Sequence, residues 1–242
     1  MNNYSEEKKF FEEINPKREC GSSNRKLGCS TGPNTFISVQ NIIEATKLQY
    51  ISNGVHTEIP EFIVLFNDHV SNDFYALFKS LPPSKQFIAA GVPGSFHGRL
   101  FPKESLHFIH SSFALQWLSK VPMEVMDEGS PTWNKGRIFY IDAQKEVVEA
   151  FATQFAEDME SFLFARAQEL AVGGLLPFFI PGIPDVMSNS DTFIGKELDL
   201  LGSCLMDMAK VGLFSEAKVD AFNMLAYFTT PKELKALIER NS

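Results

Sequence analysis

Cysteine is scarce in this chain: Cys20, Cys29 and Cys204 are the only three in 242 residues. An odd number at wide spacing fits neither a disulfide framework nor a zinc site, and predicts a reducing compartment. Runs of Lys or Arg are also missing, and the net charge is −8. A phosphate backbone needs a basic face, so nucleic acid is excluded as a partner. No window reaches the roughly 18 apolar residues of a membrane-spanning helix, and the charged N-terminal region lacks a signal-type apolar stretch. A cytoplasmic protein without membrane contact is expected. The glycine turn at 28–32 does not read Gly-x-Gly-x-x-Gly, which argues against the dinucleotide fingerprint. Internal repeats, low-complexity tracts, a Ser/His/Asp arrangement and paired carboxylates are absent as well.

What remains is a chain that is 44% hydrophobic and 21% charged, enough for one sizeable core. Phenylalanine is over-used, at 23 residues, which suits a thick core or a pocket for a flat apolar ligand. Residues 1–25 are polar and unpatterned and read as a poorly ordered segment, leaving 26–242 as the folded domain. Periodicity predicts a helix at 35–48, a strand at 61–66, a helix at 71–79 and strands at 86–92 and 105–110. A turn or short helix is expected at 111–119. A long amphipathic helix is expected over 146–170, stopped by Gly173 and Gly174, with a strand at 175–180 and helices at 197–213 and 231–239. Alternation of this kind is that of an α/β sheet.

Two places suggest a site. In Leu27-Gly28-Cys29-Ser30-Thr31-Gly32-Pro33-Asn34-Thr35 glycines bracket a small polar turn that opens into a helix, where a ligand could meet free N–H groups. The strand 61–66 runs into Asn67-Asp68, and a carboxylate at the C-terminal end of a strand in an open α/β sheet can hold ribose hydroxyls. Together they read as a nucleoside pocket. His69, His97, His107 and His110 have neither metal-ligand spacing nor an acid at fixed offset and are read as structural.

Five segments in order carry a family resemblance: the turn 27–35; Asn67-Asp68-His69 through Phe74; Gly91-Val92-Pro93-Gly94-Ser95-Phe96 through Pro102; Ser105 through Ser119; and Asn134-Lys135-Gly136-Arg137-Ile138. From Leu27 onward the chain resembles the plant SABATH methyltransferases. The resemblance implies a Rossmann-like class I methyltransferase sheet with a helical cap, and S-adenosylmethionine as methyl donor to the carboxylate of a small plant metabolite or hormone. It places cofactor contacts on Cys29, Asn34, Asp68, His69, Ser95 and Phe96, and acceptor contacts on Phe113, Gln116 and Trp117. A Mg²⁺ site is implied at Asn134, Asp220, Phe222 and Asn223, and a homodimer is implied as well. Read alone, Ser95 and Phe96 are an ordinary loop serine and core phenylalanine, and Gln116 and Trp117 could equally be surface and core.

Departures from the family pattern set up a competing expectation. Residues 1–25 hold no Ser-Tyr-x-x-Asn-Ser-x-x-Gln segment, and Lys26 stands where the family has an acid for the methionine amino group. A cation there repels the ammonium and sulfonium. The first sheet strand is thereby put in doubt. The chain stops at Ser242, before the family's last strands, so truncation at both ends is expected. The alternative function is an inactive truncated paralogue that pairs with a full-length relative.

Overall fold

A computed structural model describes residues 23–52, 59–187 and 191–241, with Ser23–Lys26 described by backbone alone. The expected disorder of residues 1–25 lies outside the described residues up to position 22, and is corrected at 23–25, which are strand. By its contacts the chain divides into two compact units, one built from residues up to Ala114 with Ala165–Phe179, the other from Leu115–Phe164 with residues from Ile180 onward.

The first unit holds a parallel sheet. Its strands are β1 (Ser23–Leu27), β2 (Ile63–Asp68), β3 (Ile88–Pro93), β4 (Leu106–Ser112), β5 (Leu170–Leu175) and the two-residue β6 (Phe178–Phe179). The order is β3-β2-β1-β4-β5, with β6 also on β4. The strand that the sequence left in doubt is therefore present, and it is central: Asn24 to Leu27 pair with β2 on one side and β4 on the other. Ser-Asn-Arg-Lys has low strand propensity, but two neighbours satisfy its backbone groups, and such context overrides propensity. Helix α1 (Asn34–Ser52) follows β1, and α2 (Phe74–Lys79) follows β2. Phe36, Val39 and Ile43 of α1 pack with Cys29, Phe62, Val64, Phe66 and Leu77 into one core. The Phe36 and Phe66 rings meet edge-on at 5.6 Å, a favoured aromatic arrangement.

One reading of the glycines is corrected. Helix α3 (Lys145–Glu169) passes directly into β5, so Gly173 and Gly174 lie inside the strand and do not stop the helix. A Cβ at Gly174 would come within 3.0 Å of the Leu106 carbonyl oxygen and 2.9 Å of that of Ala171, and Gly173 has φ +81. The register between β4 and β5 shifts at this point, so the pair serves a sheet irregularity that a side chain would obstruct. The strand expected at 175–180 is thus split between β5 and β6.

The second unit is helical among its described residues: most of α3, α4 (Phe193–Lys210), α5 (Glu216–Asp220), α6 (Pro231–Arg240) and a 3-10 turn at Met123–Val125. Thr230 and Glu233 form a reciprocal capping box with proline in the first turn of α6, as Thr-Pro-Lys-Glu leads one to expect. Phe139, Tyr140, Phe151, Phe155 and Tyr227 are buried here, and the two tyrosine rings stack at 5.1 Å. Part of the phenylalanine excess goes into these two cores, while Phe113, Phe164, Phe193 and Phe222 are exposed. Tyr140 and Tyr227 both have raised pKa values, first because of burial, then because the Glu233 carboxylate is close. The fold thus holds both phenols protonated after an unfolded chain would have ionised them. Their contribution to stability is whole below the ordinary tyrosine value near ~10 and is lost as pH rises beyond it, by at most about 1.4 kcal/mol per pH unit per phenol. Urea unfolding between pH 9 and 11 should show that decline, and Tyr227→Phe should flatten it by about half.

Candidate cofactor site

The C-terminal ends of β1 and β2 bring the two signalled places together. After β1 the chain bends at Gly28, where φ is +66, and Ser30 follows with φ +51. A Cβ at Gly28 would fall on the Ala114 side chain, so glycine is required both for conformation and for space. The bend turns Ser30 towards β2, and its N–H donates to Asp68 Oδ2 at 2.6 Å. The N–H of His69 donates to the other oxygen, Oδ1, at 2.7 Å. One hydrogen bond on each oxygen fixes the carboxylate's plane, and a carboxylate has about four acceptor positions, so ribose hydroxyls can still be received.

The helix-start donors are used differently from the sequence reading. The N–H groups of Thr35, Phe36 and Ile37 bond to the carbonyls of Gly32 and Pro33, and that of Cys29 bonds to Asn67 O at 3.0 Å. The Thr35, Phe36 and Ile37 amides are thus used locally, in bonds that tighten the first turn. Thr35 Oγ1 adds a bond to the Cys29 carbonyl at 2.7 Å. The Cys29 side chain is buried in the core and Asn34 lies exposed at the start of α1. His69 is exposed, with Nδ1 2.8 Å from Ser71 Oγ.

Beyond β3 the chain runs through 94–102 outside strand and helix. Ser95 is exposed there and Phe96 half-buried, with the Phe96 and His97 rings 4.6 Å apart. Asn67, fully buried, donates from Nδ2 to the carbonyls of Val92 and Gly94 at 2.8 and 2.9 Å, and Gly94 N–H donates to Asp68 O at 2.9 Å. The acid, the glycine bend and the start of the Ser95-Phe96 loop are therefore one hydrogen-bonded assembly of the first unit.

Three residues that matter here escaped the sequence reading. Asn67 looked like the neighbour of the acid, whereas it ties β2 to the loop. Arg166 and Glu169 are fully buried in the same unit and bond to the loop's far end. Their signal was legible in hindsight: both fall on the apolar stripe of α3, in step with Phe155, Met159 and Phe162, and a charge inside such a stripe needs a partner.

For the acceptor residues, Phe113 lies in the first unit with φ +55 and 47% exposure. Gln116 and Trp117 lie in the second, Gln116 buried and Trp117 48% exposed. Their segment runs antiparallel to 225–227, with a bridge from Trp117 to Ala226. The residues of the implied metal site are drawn together in the second unit. Asn134 Nδ2 donates to Asn223 Oδ1 at 2.8 Å, and Gly136 N–H donates to Asp220 Oδ1 at 2.7 Å. Asn134 Oδ1 is buried without a hydrogen-bond partner, while Phe222 is half exposed. One carboxylate, amide oxygens and a backbone carbonyl are donors of the kind Mg²⁺ takes, and the orphaned Asn134 oxygen fits a cation. Among the described residues no group of three or more His, Cys, Asp and Glu could hold a metal ion, and no helix is long and apolar enough to cross a membrane.

An open parallel sheet with an acid at the end of its second strand, locked to a glycine bend after its first, is an α/β architecture whose strand ends are suited to receive a nucleoside. A family model described as SAM dependent carboxyl methyltransferase matches residues 25–242. The chain belongs to that family, the SABATH methyltransferases. It is 51% identical over 216 residues to loganic acid O-methyltransferase of Catharanthus roseus, covering 89% of this chain and 57% of that protein. It is 45% identical over 215 residues to farnesoic acid carboxyl-O-methyltransferase of Arabidopsis thaliana, covering 89% and 61%. A solved loganic acid methyltransferase with SAH superposes with a TM-score of 0.92 at 45% identity, over 98% of this chain and 68% of that one. The fold is thus the α/β methyltransferase fold, and the chain spans about three fifths of the length of these curated relatives.

Proposed function

We propose that this chain binds S-adenosylmethionine in its first unit and transfers the methyl group to the carboxylate of a small plant acid. The observation that carries the reading is the 2.6 Å bond from Ser30 N–H to the Asp68 carboxylate, which sets a fixed hydrogen-bond acceptor beside a bend with no side chain at Gly28. Asp68, with His69 beside it, accepts the ribose hydroxyls, Phe96 offers a face to the adenine, Ser95 hydrogen-bonds its edge, and the turn contributes Asn34 and the backbone at Cys29. When bound, the cofactor supplies an electrophilic methyl group on sulfur. A carboxylic acid with a pKa near ~4 is already ionised at neutral pH, so the protein needs no general base. Its task is to align and to exclude water, and alignment alone is worth up to roughly 7–11 kcal/mol. The indole N–H of Trp117 and the amide of Gln116 are donors suited to the acceptor's carboxylate, and Phe113 supplies an apolar ring. Loganic and farnesoic acid, in the names of the two relatives, are both carboxylic acids of this kind. Mg²⁺ held by Asn134, Asp220, Asn223 and the Phe222 carbonyl would brace the second unit, and a cytoplasmic homodimer completes the proposal.

Calorimetric titration with S-adenosylhomocysteine tests the reading. Micromolar binding is expected, and an absence of heat at high protein concentration would reject it. By the family pattern Lys26 stands where an acid holds the methionine amino group, so Lys26→Asp should tighten S-adenosylmethionine binding by about tenfold, the value of one screened charge contact. Mg²⁺ added to EDTA-treated protein should raise the unfolding midpoint of wild type and leave Asn134→Ala unmoved.

A further inference from the structure

We infer that the buried Arg166–Glu169 pair is a positioning device for the Ser95-Phe96 loop, and that it governs affinity for the adenosyl moiety without touching it. The inference rests on the methyl-donor reading above. Arg166 Nη1 donates to the Phe96 carbonyl at 2.7 Å and Nη2 to the Gly98 carbonyl at 2.9 Å. Nε and Nη2 both reach Glu169 Oε2 at 2.9 Å. Glu169 Oε1 in turn accepts the N–H groups of Leu100 and Phe101 at 2.5 and 2.9 Å. Two side chains thus bind four backbone groups across 96–101, a stretch with no strand or helix of its own.

Stability does not explain this arrangement. Both side chains have 0% exposure, and a buried ion pair is commonly no more stabilising than apolar residues of the same volume. What apolar residues cannot supply is direction. The planar guanidinium offers several donors in a fixed fork and the carboxylate two acceptors, so the loop's carbonyls and amides are held at defined orientations. At the loop's other end Asn67 holds Val92 and Gly94, next to Asp68. Ser95 and Phe96 therefore sit between an anchor on the acid's own strand and the anchor at the end of α3. A ligand gripping Asp68 with its ribose would find the adenine face of Phe96 already placed, and a pre-placed contact is bound more tightly than one that must be ordered.

Backbone hydrogen exchange and calorimetry on the full chain test this with Arg166→Lys and Glu169→Gln. A lysine keeps the charge but not the fork, and a glutamine keeps the shape but not the charge. In both, the Leu100 and Phe101 amides should exchange at least about tenfold faster while α1 and β2 stay protected, and S-adenosylhomocysteine should bind about ten- to a hundredfold more weakly, as expected for charge-assisted bonds. In turnover the KM for the donor should rise and kcat at saturation should stay within about twofold, the pattern of lost uniform binding. In wild type, where no variant has to fold, saturating S-adenosylhomocysteine should further slow exchange across 94–101. A wild type that does not bind S-adenosylhomocysteine rejects the methyl-donor reading and the inference with it. A wild type that binds, with unchanged affinity in the variants or a loop indifferent to the ligand, rejects the positioning role alone.

Discussion

Asp68→Ala should remove measurable S-adenosylhomocysteine binding, weakening it by about a hundredfold or more. A hydrogen bond to a charged acceptor contributes about 1.5–3 kcal/mol, and two ribose hydroxyls on one carboxylate make two of them. The same carboxylate receives the N–H groups of Ser30 and His69, so its loss also removes one of the two ties between the glycine bend and β2, leaving that from Cys29 N–H to Asn67 O. The two consequences separate experimentally. Asp68→Asn keeps the side chain's volume and one acceptor oxygen, but its amide nitrogen must face one of those N–H donors. It should bind almost as poorly as Asp68→Ala while losing only the about 1–3 kcal/mol of stability that one unsatisfied donor costs. Retained micromolar affinity in Asp68→Ala would mean that the ribose is held elsewhere.

Gly28→Ala should be the most damaging single methyl group in the first unit, destabilising it by about 2–5 kcal/mol. Two costs add: a φ of +66 that L-residues disfavour by roughly 1–2 kcal/mol, and a Cβ placed on that of Ala114, where overpacking costs about 1–3 kcal/mol. Pairing it with Ala114→Gly should restore the steric part and leave the conformational part, so the double variant is expected to recover about half the lost stability in urea. Full recovery would show that backbone strain at position 28 is negligible, and no recovery that the contact with Ala114 is.

Much of this fold was legible because its signals are local. The run 61–66 alternates into a buried strand, the Pro82-Pro83 break separates α2 from β3, and Thr230 to Glu233 carry their own cap. Boundaries moved by a few residues, as with α1, expected at 35–48 and found at Asn34–Ser52. The acid at 68 and the bend at 28 were also readable, since one is a charge at a strand end and the other a glycine where the chain must turn. Less readable was β1, whose residues 23–26 look like a polar linker and become a strand through two neighbours distant in sequence. Gly173 and Gly174 misled for a related reason: after a helix, glycine has the same appearance whether it ends that helix or clears room beside the Leu106 carbonyl.

By itself the sequence determined the alternation of helices and strands, the acidic strand end, the glycine bend and, through five ordered motifs, the family. These follow from periodicity and residue type, which act over a few positions. Only the tertiary structure decided that the bend and the acid meet at 2.6 Å, that the helix-start amides are spent on their own turn, and that Arg166 and Glu169 hold a loop some 70 residues earlier in the chain. Hydrogen-bond partners far apart in sequence are chosen by packing, because a buried polar group takes whichever partner the fold brings within reach.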